Sequence, residues 1–219
     1  MKLLNILKTA AVSSALALAA TSASALVLDF DGTLVTDNGA GDTDAAIGAI
    51  SYNSGGVSVT TVTSFDGLGF SLLGLTVNTT NAIAADIEIS ATDTGYAAGA
   101  GMPSNVNATL NGSFLQGNPA EVQGAFYVDD GNNEFSMATM VGPGGSINVI
   151  GDNVTGMTNT NLSDPFSMSI FTTIKAGTFA SYDATISAVP SPVPVPAGIL
   201  LMGTALAGFG VMRRRKKAA

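Results

Sequence analysis

The chain has 219 residues, with sixteen acidic side chains against eight basic ones, and no cysteine, histidine or tryptophan. Ser-His and Cys-His catalysis and zinc sites built on His or Cys are therefore excluded, and no disulfide can hold the fold. All sixteen acids lie between residues 26 and 192, where Lys175 is the one cation. A body carrying a net of −15, sixteen carboxylates against one lysine, repels phosphate backbones and anionic lipid heads. Nucleic acid is thus not expected as a partner.

The chain begins with Lys2 and Lys8, an apolar Ala-rich run from Thr9 to Ala20, and Ala23-Ser24-Ala25. This pattern predicts a secretory signal peptide over residues 1–25, handled by the general secretion machinery and cut after Ala25 at the Ala23/Ala25 site. Residues 26–189 then form one exported domain, long enough for a real core.

Within that domain, short runs of alternating apolar and polar residues are separated by turn formers. Strands are predicted at Leu26–Phe30, Val57–Thr63, Phe70–Val77, Asp86–Ala91, Val106–Phe114, Gly124–Val128, Glu134–Val141, Ser146–Ile150, Phe166–Ile174 and Tyr182–Val189. Period two with one wet face argues for antiparallel sheets. Gly55-Gly56, Asp66-Gly67, Asn111-Gly112, Asp130-Gly131 and Gly144-Gly145 punctuate the runs. Only Asp44–Ile50 offers a helical candidate. The expected fold is all-β: an antiparallel two-sheet sandwich, jelly-roll-like.

Two loops are dense in oxygen-bearing side chains. They run from Asp37 through Asp42 to Asp44, and from Asp129 and Asp130 to Glu134. With Asp31 at a turn, these seven residues are the candidate calcium ligands, because calcium takes six to eight oxygens from Asp-, Asn- and Gly-rich loops. Neither loop has EF-hand spacing, and solvated turns are the plainer reading. Calcium is the one cofactor the sequence suggests.

Asp29-Phe-Asp31-Gly32-Thr33 resembles the first motif of haloacid-dehalogenase-type phosphatases. That resemblance would make Asp29 a nucleophile and Asp31 an acid/base. The body lacks the helices that such a parallel-sheet fold needs, and Lys175 falls after the Asp129-Asp130 pair rather than before it. No catalytic residue is assigned. The same opening also looks like the first strand of calcium-binding β-sandwiches of secreted proteins.

The chain ends in three parts: a Pro-rich spacer and motif (190–196), sixteen uncharged residues (197–212), and a basic tail (213–219). As a helix the middle part is about 24 Å long, at about 1.5 Å per residue, a marginal membrane span. The cluster Arg213, Arg214, Arg215, Lys216 and Lys217 would stop transfer and stay on the cytoplasmic side of the inner membrane. Val193, Pro194, Val195, Pro196 and Ala197, followed by this helix and cluster, resemble the PEP-CTERM sorting signal of Gram-negative bacteria. More narrowly they resemble its Val-Pro-Leu-Pro-Ala variant, with Val195 in place of Leu. The resemblance implies recognition by an exosortase, a membrane protease-transpeptidase, then delivery to the cell surface or extracellular matrix and its exopolysaccharide. A plain tail anchor is the alternative.

The sequence thus leads to an exported, non-enzymatic cell-surface or matrix protein. A calcium-dependent carbohydrate-binding or adhesive β-sandwich module is the second reading, and an exported hydrolase the third.

Overall fold

The structure is a computed structural model that describes residues 25–66, 70–97, 102–117, 120–142, 144–149 and 151–190, the side chains of 64–66 and 102–103 excepted. Ala23 of the cleavage site, the sorting motif 193–197, the apolar segment 197–212 and the cluster 213–217 lie outside the described residues.

Thirteen strands occur among the described residues, in chain order: β1 (Val27–Phe30), β2 (Thr33–Thr36), β3 (Ala49–Ser54), β4 (Val57–Asp66), β5 (Phe70–Thr79), β6 (Ile87–Tyr96), β7 (Met102–Gln116), β8 (Val122–Asp129), β9 (Thr139–Met140), β10 (Gly145–Ile147), β11 (Asn153–Leu162), β12 (Phe166–Ile174) and β13 (Phe179–Pro190). They form two sheets. One runs β10-β8-β12-β6-β1-β2, with β9 also on β8; the other runs β11-β7-β13-β5-β4-β3. Every pairing is antiparallel.

The alternation read from the sequence decides which side chains face inward. On β12, Phe166, Met168, Ile170, Thr172 and Ile174 are buried; on β13, Tyr182, Ala184, Ile186 and Ala188 are buried. Inward residues of both sheets join in one apolar cluster that also takes in Leu28, Ile50, Leu73, Leu75, Ile89 and Leu110. Each fully buried Leu or Ile contributes about 2 kcal/mol, so with no disulfide this cluster carries the fold.

A polar thread crosses the core. The Tyr182 hydroxyl lies 2.8 Å from Thr172 Oγ1, which in turn donates to the Ile89 carbonyl at 3.1 Å. Thr172 has one proton and gives it to Ile89, so Tyr182 donates to Thr172. The thread links β13 of one sheet to β12 and β6 of the other.

Three expectations are corrected. Asp44–Ile50 is not a helix: Asp44 Oδ1 accepts the Ala46 N–H at 2.9 Å in a local turn, and β3 begins at Ala49. Glu134–Val141 shrinks to the two residues of β9, because Asn132 and Phe135 take positive φ (56° and 49°) and break the strand before it starts. β2, β3 and β11 stand where no strand was expected. β11 alternates strictly in burial, but its inward positions include Gly156, Thr158 and Thr160, so it has little hydrophobic signal. Gly156 is small for a reason: the Val141 carbonyl occupies the place its Cβ would need.

Candidate functional site

The outer face of the first sheet is assembled in rows across the strands. One row runs Leu34–Asp29–Ser90–Phe171–Ala125 from β2 to β8. A second runs Glu88–Thr173–Gln123–Ser146 from β6 to β10. A third runs Thr36–Val27–Thr92–Ser169–Tyr127–Met140.

The middle of the third row is covered, while Thr36 and Met140 at its ends stay exposed. The loop after β8 folds back over it: the Phe135 N–H donates to Thr92 Oγ1 at 3.2 Å, and Ser167 Oγ donates to the Asn133 carbonyl at 2.7 Å. Thr92, Ser167 and Ser169 are consequently buried although they point away from the core. Thr92 and Ser169 satisfy one another at 2.9 Å.

The other two rows stay open. Between them lies a groove of about 420 Å³, lined by Gln123, Ala125, Ser146, Phe171, Thr173 and the backbone of Gly124, Gly144 and Gly145. Its floor is low because Ala125 and the glycines carry little or no side chain. Phe171 stands at its side, held by two edge contacts: ring centroids lie 5.6 Å from Tyr127, at 83°, and 6.5 Å from Phe135, at 62°. Such perpendicular pairs fix ring orientation. One fixed aromatic ring beside an amide and two hydroxyls, in a concave site of a few hundred Å³, is the common make-up of a small-ligand site.

The residues expected as calcium ligands lie in hydrogen-bonded loops. Asp37, Asp42 and Asp44 organise the loop between β2 and β3. Asp37 accepts the Gly48 N–H at 2.8 Å, and Asp42 accepts the N–H groups of Asn38, Asp44 and Ser51 at 2.8–2.9 Å. Burial pushes the Asp42 pKa up, but those three donors outweigh it and hold the carboxyl below its usual value. Asp129 accepts the Gly131 N–H at 2.8 Å and the Asn133 amide at 2.7 Å; the Asn133 amide first, then the Gly131 N–H, lower its pKa.

Asp130 ties the same loop to the turn after β11, accepting both the hydroxyl and the N–H of Ser163, which hold its carboxyl low. Asp31 sits in the β1–β2 turn at φ 48°, and Glu134 lies exposed beyond Asn133. Among the described residues no group of three or more acidic side chains converges as a metal would need. The acid-rich loop at 129–134 forms a hydrogen-bonded scaffold that sets Phe135 against Phe171.

Asp29 of the phosphatase-like motif accepts the Gly32 N–H at 2.9 Å and closes the β1–β2 turn. The sheet around it is antiparallel, so the parallel setting which that motif requires is not built in the described residues.

Phe171, Ala125, Gln123, Thr173 and Ser146 were not singled out by the sequence reading. A signal for Phe171 existed: if Phe166, Met168 and Ile170 face inward, period two places Phe171 on the wet side. The groove itself needed the pairing of β8, β10 and β12, which no local pattern gives.

No protein-family model and no curated protein matches the chain. Among solved structures, the chain is similar to the C-terminal domain of EclA, a sugar-binding protein, at 10% identity and TM-score 0.34, over 50% of this chain and 71% of that one. It is similar to a xylan-binding domain from CBM 22 at 12% identity and TM-score 0.34, over 65% and 92%. It is also similar to TmCBM61, solved with β-1,4-galactotriose, at 8% identity and TM-score 0.29, over 63% and 90%. Likenesses this distant leave the site to be read from its own residues.

Proposed function

We propose that this protein is an exported, non-enzymatic surface or matrix protein whose β-sandwich binds carbohydrate in the groove beside Phe171. The observation that carries the reading is the groove's composition. A sugar ring has an apolar face of C–H groups and an edge of hydroxyls. Phe171 offers a flat apolar partner to the face, while Gln123, Thr173 and Ser146 offer hydrogen-bond partners along the edge. The groove is open-sided, which suits a chain passing through it rather than an enclosed small molecule. The successive crossings from one sheet to the other, β5 to β6 to β7 to β8 and β11 to β12 to β13, support a jelly-roll-like description.

The exported setting rests on the two ends of the sequence. The Ala23/Ala25 site and the Val193–Ala197 motif before an apolar stretch and five cations support secretion, transient inner-membrane anchoring and exosortase processing. Exopolysaccharide is then the partner at hand. The acidic body, with no cation but Lys175, supports staying clear of nucleic acid and anionic lipid.

Affinity electrophoresis through gels containing single polysaccharides tests the binding. At least one should retard the protein, and Phe171→Ala should weaken that retardation about thirtyfold, as loss of an anchor worth about 2 kcal/mol implies. Equal retardation of the protein and the Phe171→Ala variant on every retarding gel would remove the groove from the account. Mass spectrometry of the surface fraction tests the processing: the mature chain should start near Leu26 and lack the segment after about Pro196. Peptides ending in the basic cluster would count against it.

A further inference from the structure

No charged side chain lines the groove itself, but carboxylates outnumber cations beside its polar row. Glu88 is exposed and lies next to Thr173 in the polar row. Glu121 is held beside the same row by Gln123, whose Nε2 donates to Glu121 Oε1 at 2.9 Å. Asp29 sits in the row of Phe171, with Ser90 between them.

The one cation of the body offsets these only in part: the Lys175 backbone N–H donates to the Glu121 carbonyl at 3.0 Å, and its ammonium is attracted to Asp86 first and then to Glu121 and Glu88, so three carboxylates share one ammonium. Lys175 is committed to Asp86, with Nζ 2.9 Å from Oδ2. That carboxylate also accepts the Ala176 N–H at 2.8 Å, which fixes the pair at the end of β12. No arginine lies between residues 26 and 192.

Resting on the reading that the groove holds carbohydrate, we infer that it selects by charge: it takes amino-sugar chains ahead of neutral ones and refuses chains bearing uronate or sulfate. An ammonium group on a sugar ring beside Phe171 would face Glu88 and Glu121 and meet the negative face of the aromatic ring. A uronate in the same place would be repelled by the same groups, while the nearby Lys175 ammonium is already paired with Asp86.

The size of the effect follows from Coulomb's law. One unit charge about 7 Å from another in water changes an equilibrium about threefold, so two carboxylates give about tenfold at low salt. The effect should fade as the Debye length drops from about 30 Å at 0.01 M to about 3 Å at 1 M salt.

The test uses the full-length chain in detergent and three oligosaccharides. These are a β-1,4-linked glucosamine oligomer, its fully N-acetylated counterpart and an oligogalacturonate. Calorimetric titrations are run at mildly acidic pH, where the sugar amine is protonated, in low and in high salt. The inference predicts about tenfold tighter binding of the glucosamine oligomer than of its N-acetylated form at low salt. It predicts a ratio near one at high salt and no binding of the galacturonate.

In Glu88→Gln the low-salt ratio should fall to about threefold. Equal binding of the two glucosamine-based chains at low salt, or a ratio untouched by Glu88→Gln, overturns the charge selection while leaving the groove as a glycan site. No binding of any oligomer here, together with no retardation by any polysaccharide, overturns the glycan reading and the selection with it.

Discussion

Replacing Thr172 with Val tests how the two sheets are locked. Val keeps the shape and the buried apolar surface but removes the acceptor of the Tyr182 hydroxyl and the donor to the Ile89 carbonyl. Tyr182 and Thr172 are 0% and 3% exposed, so no water can replace the missing partner without opening the core. Stranding a buried hydroxyl costs about 1–3 kcal/mol, and the orphaned Tyr182 is the larger part of it. Tyr182→Phe removes the hydroxyl itself and leaves Thr172 bonded to Ile89; it should cost about 1 kcal/mol.

The double variant should therefore be less destabilised than the sum of the two single ones, by about 1 kcal/mol, since a ring without its hydroxyl no longer needs the acceptor that valine cannot supply. Urea unfolding followed by circular dichroism gives the three values, with unchanged slopes as the check that the denatured state is not involved. In a domain of this size each kcal/mol should move Tm by about 2–4 °C. Strict additivity, or a Thr172→Val no worse than Tyr182→Phe, would show that the hydroxyls do not form the thread described.

Among the described residues, the buried hydroxyls of Thr61 and Ser71 meet no hydrogen-bond partner, so Thr61→Val should stabilise by about 1 kcal/mol in the same urea assay; a loss of stability would refute the assignment. Asp42, Asp129 and Asp130 have folded-state pKa values below the ordinary 3.8, so their contribution is present above about pH 4 and is lost as pH falls through the folded values. Asp42→Asn should be less stable at neutral pH and show a shallower acid limb; a limb of unchanged slope would refute this. Calcium and sodium chloride at matched ionic strength should raise Tm equally, because both only screen a body of net charge −15, sixteen carboxylates against one lysine. A larger shift with calcium would mean that ligands converge in a way the described residues do not.

Where a strand buries one apolar face, its pattern was legible. Phe166–Ile174 is found to the residue, and Val57, Phe70 and Ile87 open strands within a residue of where alternation places them. Edge strands hid, since β2 and β11 bury little and need few apolar residues. The acidic loops were legible as turns but not as to their partners. Asp129 next to Gly131 and Asn133 reads equally well as a metal loop and as a hydrogen-bonded turn until the N–H directions are known. The groove was the least legible feature. Phe171, Ala125 and Ser146 are distant in sequence, and only the register of β12 on β8 and β8 on β10 makes them neighbours.

Backbone amide NMR during titration with a polysaccharide that retards the protein bears most directly on the groove. The glycan-binding account predicts that the largest shift changes fall on Gln123, Ala125, Ser146, Phe171 and Thr173, with the outer face of the second sheet, including Thr109 and Thr185, unmoved. Changes centred on that second face, or spread evenly over the molecule, would contradict it.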